Sequence, residues 1–307
     1  MSRLPRISCV ILCHNYGRYL DRAISSCLEQ EPGGFVLHEV IVIDDGSSDE
    51  TEEVCQRRKG EIKIIRRDRR GFGQTLTDAF LASTGDWVAL LDADDWFYPS
   101  KLRICANAMA GETLFLQHWE TVVDSQGNPL LEGPHPGGNT STLVIHRQAA
   151  LGLLPVSNEI FFHTLRDVGR GVGLQDPLTF YRVHPRSMTD RSTPGVSQDY
   201  RAEVCSALSD RLRRMSREPP PWASARQLRR ASWKFRSLAA AHRVESAVQR
   251  KKRLSAMLLM LGMLMDTLRA RAPLDSWRRA LSSVIAGRPL VRLATPQEQG
   301  ASPSSFQ

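Results

Sequence analysis

The first hundred residues alternate short apolar runs with amphipathic helical stretches, and few architectures accept that pattern. Strands are expected over Ile7 to Leu12, Glu39 to Ile43, Ile62 to Ile65 and Trp87 to Leu91, each a short apolar run bounded by polar or turn residues. Helices are expected between them. One covers Arg18 to Gln30, a second opens at Ser47, and a third runs from Gln74 to Ser83 and stops before Gly85. Ser47 and Glu50 have the S-x-x-E spacing of a capping box. A β-α-β-α-β-α-β order calls for an α/β fold: a mixed, mostly parallel sheet flanked by helices, with ligands at the carboxyl ends of the strands.

After Asp95 the alternation loosens. A helix is expected near Pro99 to Ala110, and strands near Thr113 to Trp119, Ser141 to His146 and Leu178 to Val183. Gly and Pro crowd residues 127–138, which read as a surface loop. From about Arg201 the texture is helical. Leu228, Ala231, Phe235, Leu238 and Ala239 form one apolar stripe, and Leu274, Trp277, Leu281, Val284 and Ile285 form another, which Gly287 and Pro289 end. Charge divides the chain at the same place. Residues 1–200 carry 20 basic and 26 acidic side chains, a net of −6, whereas residues 201–307 carry 21 and 7, a net of +14. Three regions are therefore expected: 1–200, a basic α-helical region over 201–292, and a disordered tail over 293–307.

The 41% apolar content is enough for a buried core in 307 residues. The longest apolar run, Ala256 to Met265, is about half the ~20 residues of a membrane span. The first residues turn polar too soon for a signal peptide, so a cytoplasmic location is expected. Six scattered cysteines without a C-x-x-C pair read as reduced, mostly buried thiols, with no zinc site among them.

The segment carrying the most chemistry is LLDADD, Leu90 to Asp95, where three carboxylates follow an apolar strand. Like charges gathered this way call for compensation. A Mg²⁺ or Mn²⁺ shared with a diphosphate supplies it, since such ions take few protein carboxylates and fill their shell from phosphate and water. The alternative is an Asx-turn closing the loop before Pro99. A second acidic pair, Asp44 and Asp45, also ends an apolar strand, so the two clusters would face one crevice. Gly46 to Asp49 read as a turn, which does not account for Asp45; that carboxylate could instead accept a hydrogen bond from a base imide. His14 and Asn15 end the first strand; the imidazole either stacks on a base or is an ordinary loop histidine.

The runs ISCVILCHNYGRYLDRAISSCLEQ, EVIVIDDGSSDET and STGDWVALLDADDWFYPSKL together resemble the family 2 glycosyltransferases, inverting enzymes of the GT-A fold. The resemblance is close over residues 6–105 and weaker through 140–147 and 176–184. It implies transfer of a sugar from a nucleotide sugar, usually UDP-linked, with Mn²⁺ or Mg²⁺ at the D-x-D. By the same resemblance Asp45 would bind uracil, and His14 stands where the family has a tyrosine that packs on the base. Asp92 would lie near the ribose and Asp94 on the metal. Glu159 is the nearest match to the family's catalytic base. The chain departs from the family in having Leu76 and Thr77 where Arg-Asn is common, and Asn158 where an acidic residue often precedes the base.

Glu159 read alone is equally a solvated glutamate at a helix start. His184 is either a metal or diphosphate ligand or a strand-end histidine, and residues 185–196 could form a lid. The acceptor implied is a saccharide or lipid-linked hydroxyl, as in polysaccharide, lipopolysaccharide or glycolipid synthesis. Arg250 to Leu268 places a basic cluster before a Leu/Met-rich helix, which either packs on its neighbours or anchors the chain on an anionic membrane surface, the inner face of the cytoplasmic membrane. No nucleic acid is expected, because Trp222, Trp233 and Trp277 sit at helical spacing. Two other classes are a catalytically weak nucleotide-sugar-binding module and a sugar nucleotidyltransferase, which would want a Gly-rich loop after the first strand. A dinucleotide oxidoreductase is set aside, because no G-x-G-x-x-G follows the first strand.

Overall fold

Strand β1 (Arg6–Cys13) lies inside an eight-stranded sheet, and every residue from Ile7 to Cys13 is buried. A strand covered on both faces has no polar side to show, so its sequence is a continuous apolar run. β2 (Val36–Asp45) and β4 (Trp87–Asp92) flank β1 in parallel, and β3 (Lys63–Arg67) adds in parallel beyond β2. The crossovers are α1 (Gly17–Leu28), α2 (Thr51–Arg57) and α3 (Phe72–Ala82). Parallel pairing sends the carboxyl ends of β1, β2 and β4 to one edge, which is where the functional side chains gather. The computed structural model describes residues 3–184, 195–270 and 275–286, and the chain divides into two compact units, 1–184 and 185–307.

The other half of the sheet is mixed. β7 (Leu143–His146) pairs antiparallel with β4, β6 (Phe115–Val123) antiparallel with β7, and β8 (Gly171–Arg182) parallel with β6. The two-residue β5 (Trp96–Phe97) closes the edge against β8. The order is β3-β2-β1-β4-β7-β6-β8-β5. Helices α4 (Lys101–Ala108), α5 (Arg147–Leu151) and α6 (His163–Leu165) lie between these strands in the chain. β8 begins at Gly171, well ahead of the expected Leu178: pairing with β6 carries the strand through half-exposed and exposed residues that show no apolar run.

The expected capping box at Ser47 does not form. Asp44 Oδ1 accepts the Ser47 N–H at 2.9 Å around Gly46, which has φ +73°. A Cβ at Gly46 would meet the Arg69 backbone nitrogen at 2.7 Å, so glycine is required there. The Ser47 hydroxyl accepts the Asn15 N–H instead, and α2 starts at Thr51, whose N–H Asp49 accepts at 3.1 Å.

Lys101 opens α4 with its side chain fully buried. Its Nζ donates to the Ser141 carbonyl at 2.8 Å and to Thr179 Oγ1 at 3.2 Å, and lies 3.4 Å from the Phe97 ring centroid. Burial pulls its pKa down to about 7, whereas the unfolded chain holds that proton to about pH 10. Between these values the unfolded state binds more protons, so stability rises with pH. From pH 7 to 8.5 this lysine contributes a slope of about 1 kcal/mol per pH unit, against an opposing contribution from the buried cysteines, whose unfolded-state thiols begin to ionise in the same range while burial holds the folded ones protonated. Urea melts at intervals across that range isolate it by difference: the wild type's stability should rise with pH more steeply than that of Lys101→Met, by about 1 kcal/mol per pH unit, because the cysteines are common to both. An unchanged slope would mean the amine is protonated in the folded state.

The second unit is built from α7 (Val196–Met215), α8 (Ala225–Gln249), α9 (Arg253–Ala270) and α10 (Asp275–Ala286). Ser224 and Gln227 form a complete capping box at the start of α8. Leu228, Ala231, Phe235 and Ala239 are buried, as their spacing requires. Ile285 does not join its stripe. It is 73% exposed while Val284, about 100° away round the helix, is buried in the core shared with α8 and α9. Leu274, Gly287, Pro289 and the 293–307 segment lie outside the described residues. All six cysteines are free and buried. Among the described residues no helix is long and apolar enough to cross a membrane.

Candidate active site

The carboxyl end of β4 carries Asp92, Asp94 and Asp95, and the fold holds them in place rather than leaving them to solvent. Asp94 and Asp95 are buried and Asp92 is half-buried. Asp95 accepts the Ser141 hydroxyl at 2.5 Å and the Arg182 N–H at 2.8 Å. Arg182 also donates from Nε to the Asp94 carbonyl, and its guanidinium lies over the rings of Tyr19 and Trp96 at 4.3 and 4.8 Å. Ser141 in turn accepts the Asp92 N–H at 3.0 Å. The loop is thus pinned from β8 and from the 3-10 turn Thr140–Thr142.

His184, just beyond β8, is buried with its Nε2 at 3.0 Å from Asp94 Oδ2. Its ring meets Tyr16 edge-on at 5.4 Å and lies 5.6 Å from Tyr19. Negative charge is concentrated here. Burial first, and then the Asp94 and Glu159 charges, push Asp92 well above the usual carboxylate range. Burial and the charges of Asp94 and Asp92 do the same to Asp95. Burial and the same aspartates raise Tyr16. Shifts of this kind mark a place where a cation would be strongly favoured.

At the ends of β1 and β2, His14 donates from Nδ1 to the Asp45 carbonyl at 2.9 Å, which leaves Nε2 as the acceptor facing the Asn15 amide at 3.3 Å. Asn15 is exposed with φ +60°, and its Oδ1 accepts the Ser48 N–H at 2.8 Å. Asp45 is buried, and its two oxygens accept the N–H groups of Arg70 and Gly71, each at 2.8 Å. It thereby anchors the loop after β3. A recess of about 650 Å³ beside it is lined by Gly46, Ser47 and Arg66 to Arg70.

Glu159 is the first residue of a 3-10 turn (Glu159–Phe162) and is half-exposed. Asn158 caps that turn, its Oδ1 accepting the Ile160 N–H at 3.0 Å. The amide does the capping work of a carboxylate without adding charge beside Glu159. The turn is set by α3: Thr77 Oγ1 accepts the Val156 N–H at 3.1 Å, and a Cβ at Gly73 would lie 2.8 Å from Ser157 Cα.

Residues 8–130 match the family model described as glycosyl transferase family 2. This stretch belongs to that family. The chain is 28% identical over 212 residues to an uncharacterized glycosyltransferase of Nostoc, a match covering 58% of this chain and 65% of that protein. It is 35% identical over 105 residues to the succinoglycan biosynthesis protein ExoO of Rhizobium meliloti, covering 34% and 29%. With chondroitin synthase of Escherichia coli it shares 25% over 138 residues, covering 43% and 20%. The chain thus spans less than two thirds of the length of these relatives. In fold it is similar to Staphylococcus aureus TarS 1–349, solved in complex with UDP-GlcNAc, with a TM-score of 0.58 and 13% identity over 95% of each chain. The glycosyltransferase domain therefore has the GT-A type of sheet.

Within this domain the structure brings Asp92, Asp94 and His184 together, with the Glu159 charge reaching Asp92. His14, Asn15 and Asp45 form a second group at the neighbouring strand ends. Reasoning from sequence missed Tyr16, Tyr19, Arg182 and Ser141, whose roles depend on contacts from distant segments. It also missed Glu120, buried in β6 beside Asn139 and pushed up to about 7 by burial. The aromatic spacing in Tyr16 to Tyr19 is the one local signal among them.

Proposed function

We propose that the chain transfers a sugar from a nucleotide sugar, UDP-linked, to the hydroxyl of a saccharide or lipid-linked acceptor with inversion of configuration, in the synthesis of a surface polysaccharide or glycolipid. The observation that carries this reading is the convergence of the β4 aspartates with His184 and the Glu159 charge. The UDP-GlcNAc complex of TarS and the polysaccharide-forming names of the relatives support it.

Asp45 and His14 would hold the base, the former through a lone pair left by its two backbone bonds, with Asn15 keeping the imidazole in place. Asp92 would meet the ribose. Among the described residues no three His, Cys, Asp or Glu side chains gather as a complete metal site. The donor set nevertheless fits Mn²⁺ or Mg²⁺, because Asp94 and His184 place an oxygen and a nitrogen 3.0 Å apart among the charges that act on Asp92. When bound, the cation neutralises charge on the departing diphosphate. Glu159 takes the acceptor's proton as its oxygen bonds to the anomeric carbon, and the bond from that carbon to the diphosphate oxygen breaks. Asp95, Ser141 and Arg182 hold the loop in register throughout.

Thermal melting with UDP and Mn²⁺ together tests donor binding. At a hundredfold excess over Kd, binding adds about 2.7 kcal/mol, which for a domain of this size raises Tm by roughly 5–10 °C. UDP alone should shift it less. No shift from any nucleoside diphosphate would remove the reading. UDP release over a panel of nucleotide sugars then separates the alternatives: binding without release points to an idle module, and pyrophosphate release points to nucleotidyl transfer.

A further inference from the structure

Helix α9 has two apolar faces, and among the described residues one of them is uncovered. Ala256, Met260 and Met263 are buried in the core that α9 shares with α8 and α10. On the opposite side Leu254, Met257, Leu258, Leu261, Met265 and Leu268 are exposed, from 51% to 77%. At 3.6 residues per turn these six fall within about 100° of arc. A lone exposed leucine is ordinary, but a stripe running the length of a helix marks a contact surface.

The charge around the stripe identifies what covers it. Asp266, the acidic residue of this helix, is turned inward and paired with Arg236 at 2.9 Å. Lys251 and Lys252 are exposed just ahead of the helix, and Arg269 is exposed near its end. Residues 201–307 carry a net charge of +14. A second copy would bring the same positive field against itself, whereas an anionic lipid surface neutralises it.

We infer that α9 lies in the plane of an anionic membrane surface, with its Leu/Met stripe among the upper acyl chains and Lys251 and Lys252 at the headgroups. The helix is an interfacial element, packed on one side and lipid-facing on the other. This contact uses no residue of the acidic site, so it and the sugar transfer proposed above fail or hold separately.

Sedimentation of the full chain with vesicles tests it. One set is a one-to-three mixture of phosphatidylglycerol and phosphatidylcholine, and the other is phosphatidylcholine alone. At low salt the wild type should bind the anionic set about tenfold more than the neutral set, and less at high salt. Leu258→Glu with Leu261→Glu should lower binding to the anionic vesicles about tenfold or more, with circular dichroism and UDP release in solution unchanged. Lys251→Glu with Lys252→Glu, which leaves the stripe intact, should erase the preference for anionic vesicles. A wild type that stays in the supernatant at low salt overturns the inference, as does undiminished binding by the leucine variant. A dimer in analytical ultracentrifugation that the leucine variant disperses, without vesicle binding, assigns the face to a second copy instead.

Discussion

Asp94→Ala is expected to lower Mn²⁺-dependent kcat/KM by about a thousandfold or more, roughly 4 kcal/mol of transition-state stabilisation. The reason is electrostatic. In the proposed reaction, departure of a diphosphate places charge on an oxygen that a cation held here would neutralise, and Asp94 is the carboxylate paired with His184. The fold should survive, because Asp94 is one of three crowded carboxylates and its removal relieves repulsion on Asp92 and Asp95. Three measurements make the case: the circular dichroism spectrum, Tm without metal, and the added shift from Mn²⁺ in the presence of UDP. The first two should stay near the wild type, and the third should vanish. Equal turnover in the variant and the wild type would reject the metal assignment.

The second large effect is expected at Glu159. Glu159→Gln keeps the shape and the Asn158 cap but removes the group that accepts the proton, so kcat should fall about 10²- to 10⁴-fold. Donor binding should change little, because in the proposed reaction Glu159 meets the acceptor and reaches the donor side only through its charge on Asp92. The decisive comparison is therefore kcat against the UDP and Mn²⁺ melting shift in one preparation. Loss of both would mean that the turn at 159–162 supports the donor pocket. Loss of neither would place the base elsewhere, and Glu120, a carboxylate with a pKa near neutrality, would be next to examine.

Much of the fold was legible locally. The buried strands β1 and β4 read correctly because a strand covered on both faces shows no polar side. The helices of the first half followed from amphipathic spacing to within a few residues. The misreadings share one physical cause: a short motif has several local uses, and a distant partner selects among them. Ser47 had the spacing of a cap, yet Asp44 and Asn15 claim it. Ile285 had the period of a core residue, yet the α8–α9 seam accepts Val284. β8 starts early because pairing with β6 carries it through residues with no strand-like pattern.

Read by itself, the amino-acid order settled what depends on neighbours along the chain: alternating apolar runs that must become a layered sheet, and acidic groups stationed at the strand ends. Tertiary structure decided what depends on strand order. His184 lies 90 residues from Asp94 in sequence and 3.0 Å from it in space, because β8 returns through the mixed half of the sheet. Local propensity carries no information about such a return, since it arises from how whole strands pair and pack.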